Sequence, residues 1–313
     1  HYPLRRQRQM CIRDREEAML AELFAVLAPV IIVSGIGYAW ARSGQHYPTE
    51  FIARLVLTIG TPSLVLATLS RADIDPQAFA SMALGCVLVT ACMGLFGVLF
   101  SRLFRQQWKV LVPAFLFPNT GNMGLPISLY AFGEHGLALA VAFFLTLSIM
   151  QFSVGIALSG NAASIKDLLR NPIMLSLLLA LPMIFMDLQL PRWLANTVGL
   201  LGGMTIPLML LTLGVSLATI RLHHLGSGLV LGALRIFLGA AVGWGIGAAM
   251  GLQPLTHAVL VVQSAMPVAV FNYLFAVRAN RSPEQVASLV MCSTLLAIGW
   301  LPLILAWWMP RVN

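Results

Sequence analysis

Phe117-Pro118-Asn119-Thr120-Gly121-Asn122-Met123-Gly124-Leu125-Pro126 sits in the middle of an apolar run, residues 110–132, that is long enough to cross a bilayer. Two prolines eight residues apart, two glycines and two asparagines cannot form a regular helix, because each proline removes a backbone donor and its ring clashes with the preceding turn. Backbone groups freed at membrane depth are tolerated only where protein or a water-filled cavity satisfies them. The stretch therefore predicts two half-helices joined by an unwound segment. The start of the second half-helix offers unpaired N–H groups and a partial positive charge, suited to an anion such as a carboxylate. Asn119, Thr120 and Asn122 add neutral donors and acceptors without the desolvation cost of a buried charge. The structural alternative is a helix kinked at its prolines, with the asparagines packed against neighbouring helices.

The surrounding chain has the composition such a segment needs. Of 313 residues 59% are hydrophobic and only 10% charged, with a mean hydropathy of +0.87. Soluble domains carry roughly 25% charge, so an ordinary cytosolic enzyme and a disordered or fibrous chain are both excluded. A helix needs about 20 apolar residues to span a bilayer. Ten stretches qualify: residues 23–41, 51–70, 78–100, 110–132, 137–159, 168–186, 193–220, 229–252, 257–277 and 285–309. An outer-membrane barrel would show alternating segments of about ten residues, and none occurs. The expected fold is an all-α membrane protein of ten transmembrane helices.

The net charge of +8 comes from basic residues scattered singly between apolar runs, which read as topology signals rather than a stripe for nucleic acid. Odd-numbered loops hold Arg42, Arg54, Arg102, Arg105, Lys109, Lys166, Arg170, Arg221, Arg278 and Arg281, whereas even loops and the C-terminus hold Arg71, Arg192 and Arg311. The odd loops are expected in the cytoplasm and both termini outside. Residues 1–18, with Arg5, Arg6, Arg8, Arg13 and Arg15, argue the other way. Since the chain begins at His1, they are expected to be a non-native basic extension, with Met19 near the natural start. Cys11, Cys86, Cys92 and Cys292 have no metal-ligand spacing and read as buried thiols.

The two halves echo each other. Pro62, in Thr61-Pro62, and Pro207, in Thr205-Ile206-Pro207, lie 145 residues apart and mark expected helix breaks, as does Pro118. The same offset carries Asn122 onto Pro267, within Gln263-Ser264-Ala265-Met266-Pro267-Val268-Ala269-Val270-Phe271-Asn272 of the ninth span. Five spans repeated after five place the second copy upside down, and paired broken helices in an inverted repeat point to a transporter's midplane site. The predicted division is residues 19–160 and 172–313 around a short cytoplasmic loop, 161–171. Arg235, in the eighth span, is the one full charge well inside a span. It either snorkels to the cytoplasmic surface or faces an anionic substrate or the vestibule.

The Asn-Thr-Gly-Asn-Met-Gly-Leu-Pro stretch, the Ala-Met-Pro-Val-Ala-Val stretch and the ten-span layout resemble the auxin efflux carrier family of membrane transport proteins, in the bile acid, arsenite and riboflavin transporter superfamily. The resemblance implies a scaffold part, a transport part and a substrate site where the fourth and ninth helices cross. It assigns Asn119, Thr120, Gly121, Asn122 and Pro126 to the first crossover strand, and Met266 and Pro267, with Gln263, Ser264 and Asn272 beside them, to the second. Asn272 comes one residue later than the asparagine often found after this proline. A middle loop as short as this one matches the prokaryotic type, which implies malonate, malate or a related organic anion as substrate, the bacterial inner membrane as location and a homodimer as assembly. No GxxxxGK[ST] motif occurs, so energy is expected from a gradient. Coupling to H⁺, coupling to Na⁺ and uniport all stay open, and no cofactor or metal is expected. A channel, a receptor and an intramembrane enzyme are the rival classes; the enzyme would need aspartates or zinc ligands within spans.

Overall fold

The computed structural model describes residues 2–71, 75–151, 153, 172–186, 188–219, 225–278 and 281–312. Its elements are helices: α1 (Tyr2–Arg42), α2 (Thr49–Leu55), α3 (Thr61–Arg71), α4 (Pro76–Leu103), α5 (Trp108–Leu116), α6 (Leu125–Met150), α7 (Pro172–Met186), α8 (Arg192–Gly203), α9 (Thr205–Thr219), α10 (Leu225–Ala249), α11 (Pro254–Ser264), α12 (Val270–Arg278) and α13 (Pro283–Val312). Prolines open α4, α7, α11 and α13, where the missing N–H costs nothing and φ is already helical. Asp75 caps α4 by accepting from the Gln77 N–H at 3.0 Å.

Among the described residues, seven helical stretches are long and apolar enough to cross a membrane: Met19–Arg42, Thr49–Arg71, Pro76–Leu103, Thr120–Met150, Arg192–Thr219, Leu225–Ala249 and Pro283–Val312. Three of the ten expected spans are not single long helices. The fourth and the ninth are interrupted, so each piece is short alone. The second piece of the fourth runs into the fifth across Gly133, whose φ of 65° and ψ of −161° turn the chain inside α6; a positive φ of this kind favours glycine. The sixth is a shorter apolar helix, Pro172–Met183. The loop expected at 161–171 lies outside the described residues. The basic residues 2–18 form the first part of α1, continuous with the span.

Pro62 and Pro207, expected to break their helices, do not unwind them. Pro62 is the second residue of α3, which follows a π-helical turn, Val56–Gly60, with no break in right-handed dihedrals. Pro207 is the third residue of α9, which resumes after Met204 (φ −77°, ψ −16°). A proline two or three residues past a local irregularity meets no carbonyl that its ring would clash with, so the span continues through it.

Packing is set by small residues, as expected where lipid gives helices no hydrophobic reason to associate. A Cβ on Gly37 would strike the carbonyl of Leu211, and one on Gly214 that of Ser34, so α1 lies directly on α9. Helix α10 carries glycines at four-residue spacing. Gly228 and Gly232 lie against Ser288, Cys292 and Ser293 of α13, and Gly239, Gly243 and Gly247 against Ser264, Val261 and His257 of α11. This stripe, legible as GxxxG in the sequence, presses α10 against the end of α11 where the ninth span breaks.

Candidate functional site

The two interrupted spans meet at their breaks. After Leu116, Phe117 turns to extended backbone (φ −112°, ψ 90°). Pro118 pairs with Val268 in an antiparallel bridge. The Asn119 N–H donates to the Pro267 carbonyl at 2.7 Å, and the Ala269 N–H donates to the Phe117 carbonyl at 3.2 Å. The pairing is antiparallel, so the separation changes along it, from 152 residues for Phe117 and Ala269 to 148 for Asn119 and Pro267.

Each break thus supplies the partners that the other lacks. The Phe117 carbonyl also accepts from Asn272 Nδ2 at 3.0 Å, and the Val268 N–H donates to Ser293 Oγ of α13 at 3.0 Å. Beyond Asn119 the chain re-enters a helix through a π-helical turn, Thr120–Gly124, with the Gly124 N–H donating to the Asn119 carbonyl at 3.2 Å. These freed backbone groups are therefore paired within the protein, the condition for unwinding a span. Gln263 Nε2 donates to Ser128 Oγ in α6 at 3.1 Å. The Gln263 side chain lies flat on Gly124, where a Cβ would strike its amide oxygen.

Three amide atoms at this meeting point are buried without a partner among the described residues: Asn119 Nδ2, Gln263 Oε1 and Asn272 Oδ1. A buried polar atom left unpaired costs about 1–3 kcal/mol, and the junction leaves one donor and two acceptors in that state among the described residues. Thr120 is buried, Asn122 is half-buried and makes no hydrogen bond among the described residues, and Pro126 is buried in the first turn of α6. Gly121 faces Phe144 and Met209, 3.2 and 3.9 Å from where its Cβ would be. Ser264 turns away: its hydroxyl donates to the Leu260 carbonyl at 2.6 Å in its own helix.

Arg235 does not snorkel. It is 1% exposed, and Nη1 donates to the Ser264 carbonyl at 2.9 Å while Nε has no partner. Phe117, Ser128, Ser293 and Gly239 complete the site, though the sequence reading did not single them out. The glycine spacing of α10 was the available signal for Gly239; the two serines carry none.

The profile of the membrane transport protein family matches twice in tandem, over residues 23–161 and 157–305. The chain is 27% identical over 262 residues, 80% of its length and 86% of the relative's, to an uncharacterized transporter of Methanothermobacter thermautotrophicus. It is 25% identical over 303 residues, 90% of its length and 96% of the relative's, to an uncharacterized transporter of Methanocaldococcus jannaschii. The chain belongs to the membrane transport protein family, the auxin efflux carrier family, and is a multi-pass membrane transporter.

Proposed function

We propose that this chain is a secondary transporter, not an enzyme, which moves a small organic anion such as malonate or malate across the inner (plasma) membrane by alternating access. The observation that carries the reading is the interlocked pair of breaks with unpartnered amide atoms at their junction. Half-helix starts at Thr120–Leu125 and Val270 turn N–H groups toward the junction; Asn119 Nδ2 and the Asn122 amide donate to a carboxylate, while Gln263 Oε1 and Asn272 Oδ1 accept from a hydroxyl or a protonated carboxyl of the same substrate. Ten spans in an inverted five-plus-five arrangement, 19–160 and 172–313, fit the tandem family match. They also fit the corresponding packing of α1 on α9 and of α7 on α3. The Gln106–Gln285 contact at 2.5 Å joins the third loop to the first turn of α13, just past the ninth loop, and the charge distribution places these two loops on one side.

Counterflow in proteoliposomes tests this. Internal malonate should accelerate uptake of labelled external malonate several-fold, and Asn272→Ala should abolish the acceleration. A channel gives flux without acceleration. Absence of uptake for every mono- and dicarboxylate tried would remove the organic-anion assignment.

A further inference from the structure

We propose that Arg235 is the fixed charge that makes the junction of the two breaks selective for anions. The inference rests on reading that junction as the binding site. Arg235 is the eleventh residue of the 25-residue helix α10, which at 1.5 Å per residue puts it about 15 Å from one end and about 20 Å from the other, inside a helix long and apolar enough to cross a membrane. It is fully enclosed, and no carboxylate among the described residues lies within ion-pair distance of it. A charge in this position is expensive in a membrane and marks a function by default.

Its hydrogen bond to Ser264 says what it does. Ser264 is the last residue of α11, so its carbonyl belongs to the negative pole of that half-helix. The matching end of α5, the Phe117 carbonyl, is met by neutral donors only, the Ala269 N–H and Asn272 Nδ2. Two half-helix starts and two half-helix ends converge here, each worth about half a charge, and nearly cancel one another. The guanidinium tips that balance by about one positive charge, and it does so on the ninth-span side alone. Ser264 is three residues from Pro267, whose carbonyl holds Asn119, so the charge acts within about 11 Å of the junction. Gly239 is what lets it sit there: a Cβ would strike the Ser264 carbonyl and come within 2.5 Å of Arg235 Nη1.

The test needs no substrate. In the full chain with Cys11, Cys86, Cys92 and Cys292 replaced by alanine, Asn122→Cys places a thiol at the half-buried position of the junction. Its rates with an anionic methanethiosulfonate (the ethylsulfonate) and a cationic one (the ethyltrimethylammonium) are compared in detergent, each relative to a free small thiol. With Arg235 present the anion-to-cation ratio should exceed that in Arg235→Gln and Arg235→Met by at least about tenfold, and Arg235→Lys should keep it within about threefold. An unchanged ratio in both neutral variants overturns the proposal. So does a lysine variant that folds while neither neutral one does, or the loss of folding in all three, because the arginine would then be a structural prop. A thiol that reacts with neither reagent would overturn the premise that solutes reach the junction. If the ratio falls as expected but no carboxylate is transported by the wild type, the substrate class fails and the role of Arg235 stands.

Discussion

Two pairs of proline-bearing spans behave differently in this molecule. Pro118 and Pro267 lie where the chain leaves helical geometry altogether, whereas the spans containing Pro62 and Pro207 pass through their prolines with a π-helical turn or a single irregular residue. The difference lies in what surrounds each proline. At the first pair, the Asn119 N–H and the Phe117 carbonyl find partners on the other break, the latter including the Asn272 amide, and the Val268 N–H and Ser264 carbonyl find theirs on α13 and α10. At the second pair, the nearby polar side chains Thr61 and Thr205 are buried with hydroxyls that bond to nothing among the described residues. Gly60 and Gly202 instead bring the helices into contact, Gly60 against Thr205 and Gly202 against the Leu64 backbone. Proline permits a break; reciprocal hydrogen bonding across a partner makes one stable at membrane depth.

That contrast can be broken at either pair. Asn272→Ala should have the largest effect, leaving the Phe117 carbonyl one donor short. We expect at least a tenfold loss of counterflow and a stability cost of about 1–3 kcal/mol in thermal or denaturant unfolding. Gly202→Ala, at the continuous pair, should cost a comparable 1–3 kcal/mol, roughly the range for overpacking. Here counterflow per folded molecule should be unchanged; a specific transport loss would mean that the second pair also shapes the site.

Tyr47→Phe sharpens the comparison away from both pairs, since Tyr47 joins the loop after α1 to Thr212 of α9 at 2.8 Å. It should cost about 0.5–1.5 kcal/mol. Burial raises the Tyr47 hydroxyl above its ordinary 10.0, and the Thr212 contact only partly offsets this. The folded state therefore prefers the neutral phenol. Its contribution is complete below pH 10.0 and is lost as pH rises through the raised value, so the gap between wild type and Tyr47→Phe should narrow only in that alkaline window. Thr61→Val and Thr205→Val should change least, with stability unchanged or raised by up to about 1 kcal/mol, because each removes a buried hydroxyl that nothing satisfies. A loss above that size would show that these hydroxyls are bonded in the membrane.

Much of this was legible in the sequence. The cluster from Phe117 to Pro126 could not be a straight helix on steric grounds alone, and the ninth-span proline marked its partner. The register between the halves was not legible. The Pro62–Pro207 spacing of 145 carried Asn122 onto Pro267, but which residues of the two breaks pair is set by the antiparallel bridge of Pro118 with Val268, a tertiary contact that no local pattern announces. Arg235 was visible as an intramembrane charge, but the direction of its side chain depends on α10 lying against the end of α11, a tertiary fact carried by Gly239 and Gly243. Gln263 was found by its polarity in an apolar span; its neighbours Ser128 and Gly124 come from the resumed half of the fourth span, which no local pattern could bring to it.

The central claim is that a carboxylate binds where the two breaks meet, and Asn122 is the residue through which to ask. It is half-buried and bonds to nothing among the described residues, so replacing it should leave the fold intact while removing a ligand contact. In a thermal-shift series with purified protein and a panel of mono- and dicarboxylates that includes malonate and malate, at least one should raise the melting temperature of the wild type. That rise should be lost in Asn122→Ala, whose melting temperature without ligand should match the wild type's. Stabilisation of both proteins to the same extent, or of neither by any carboxylate, would contradict the account.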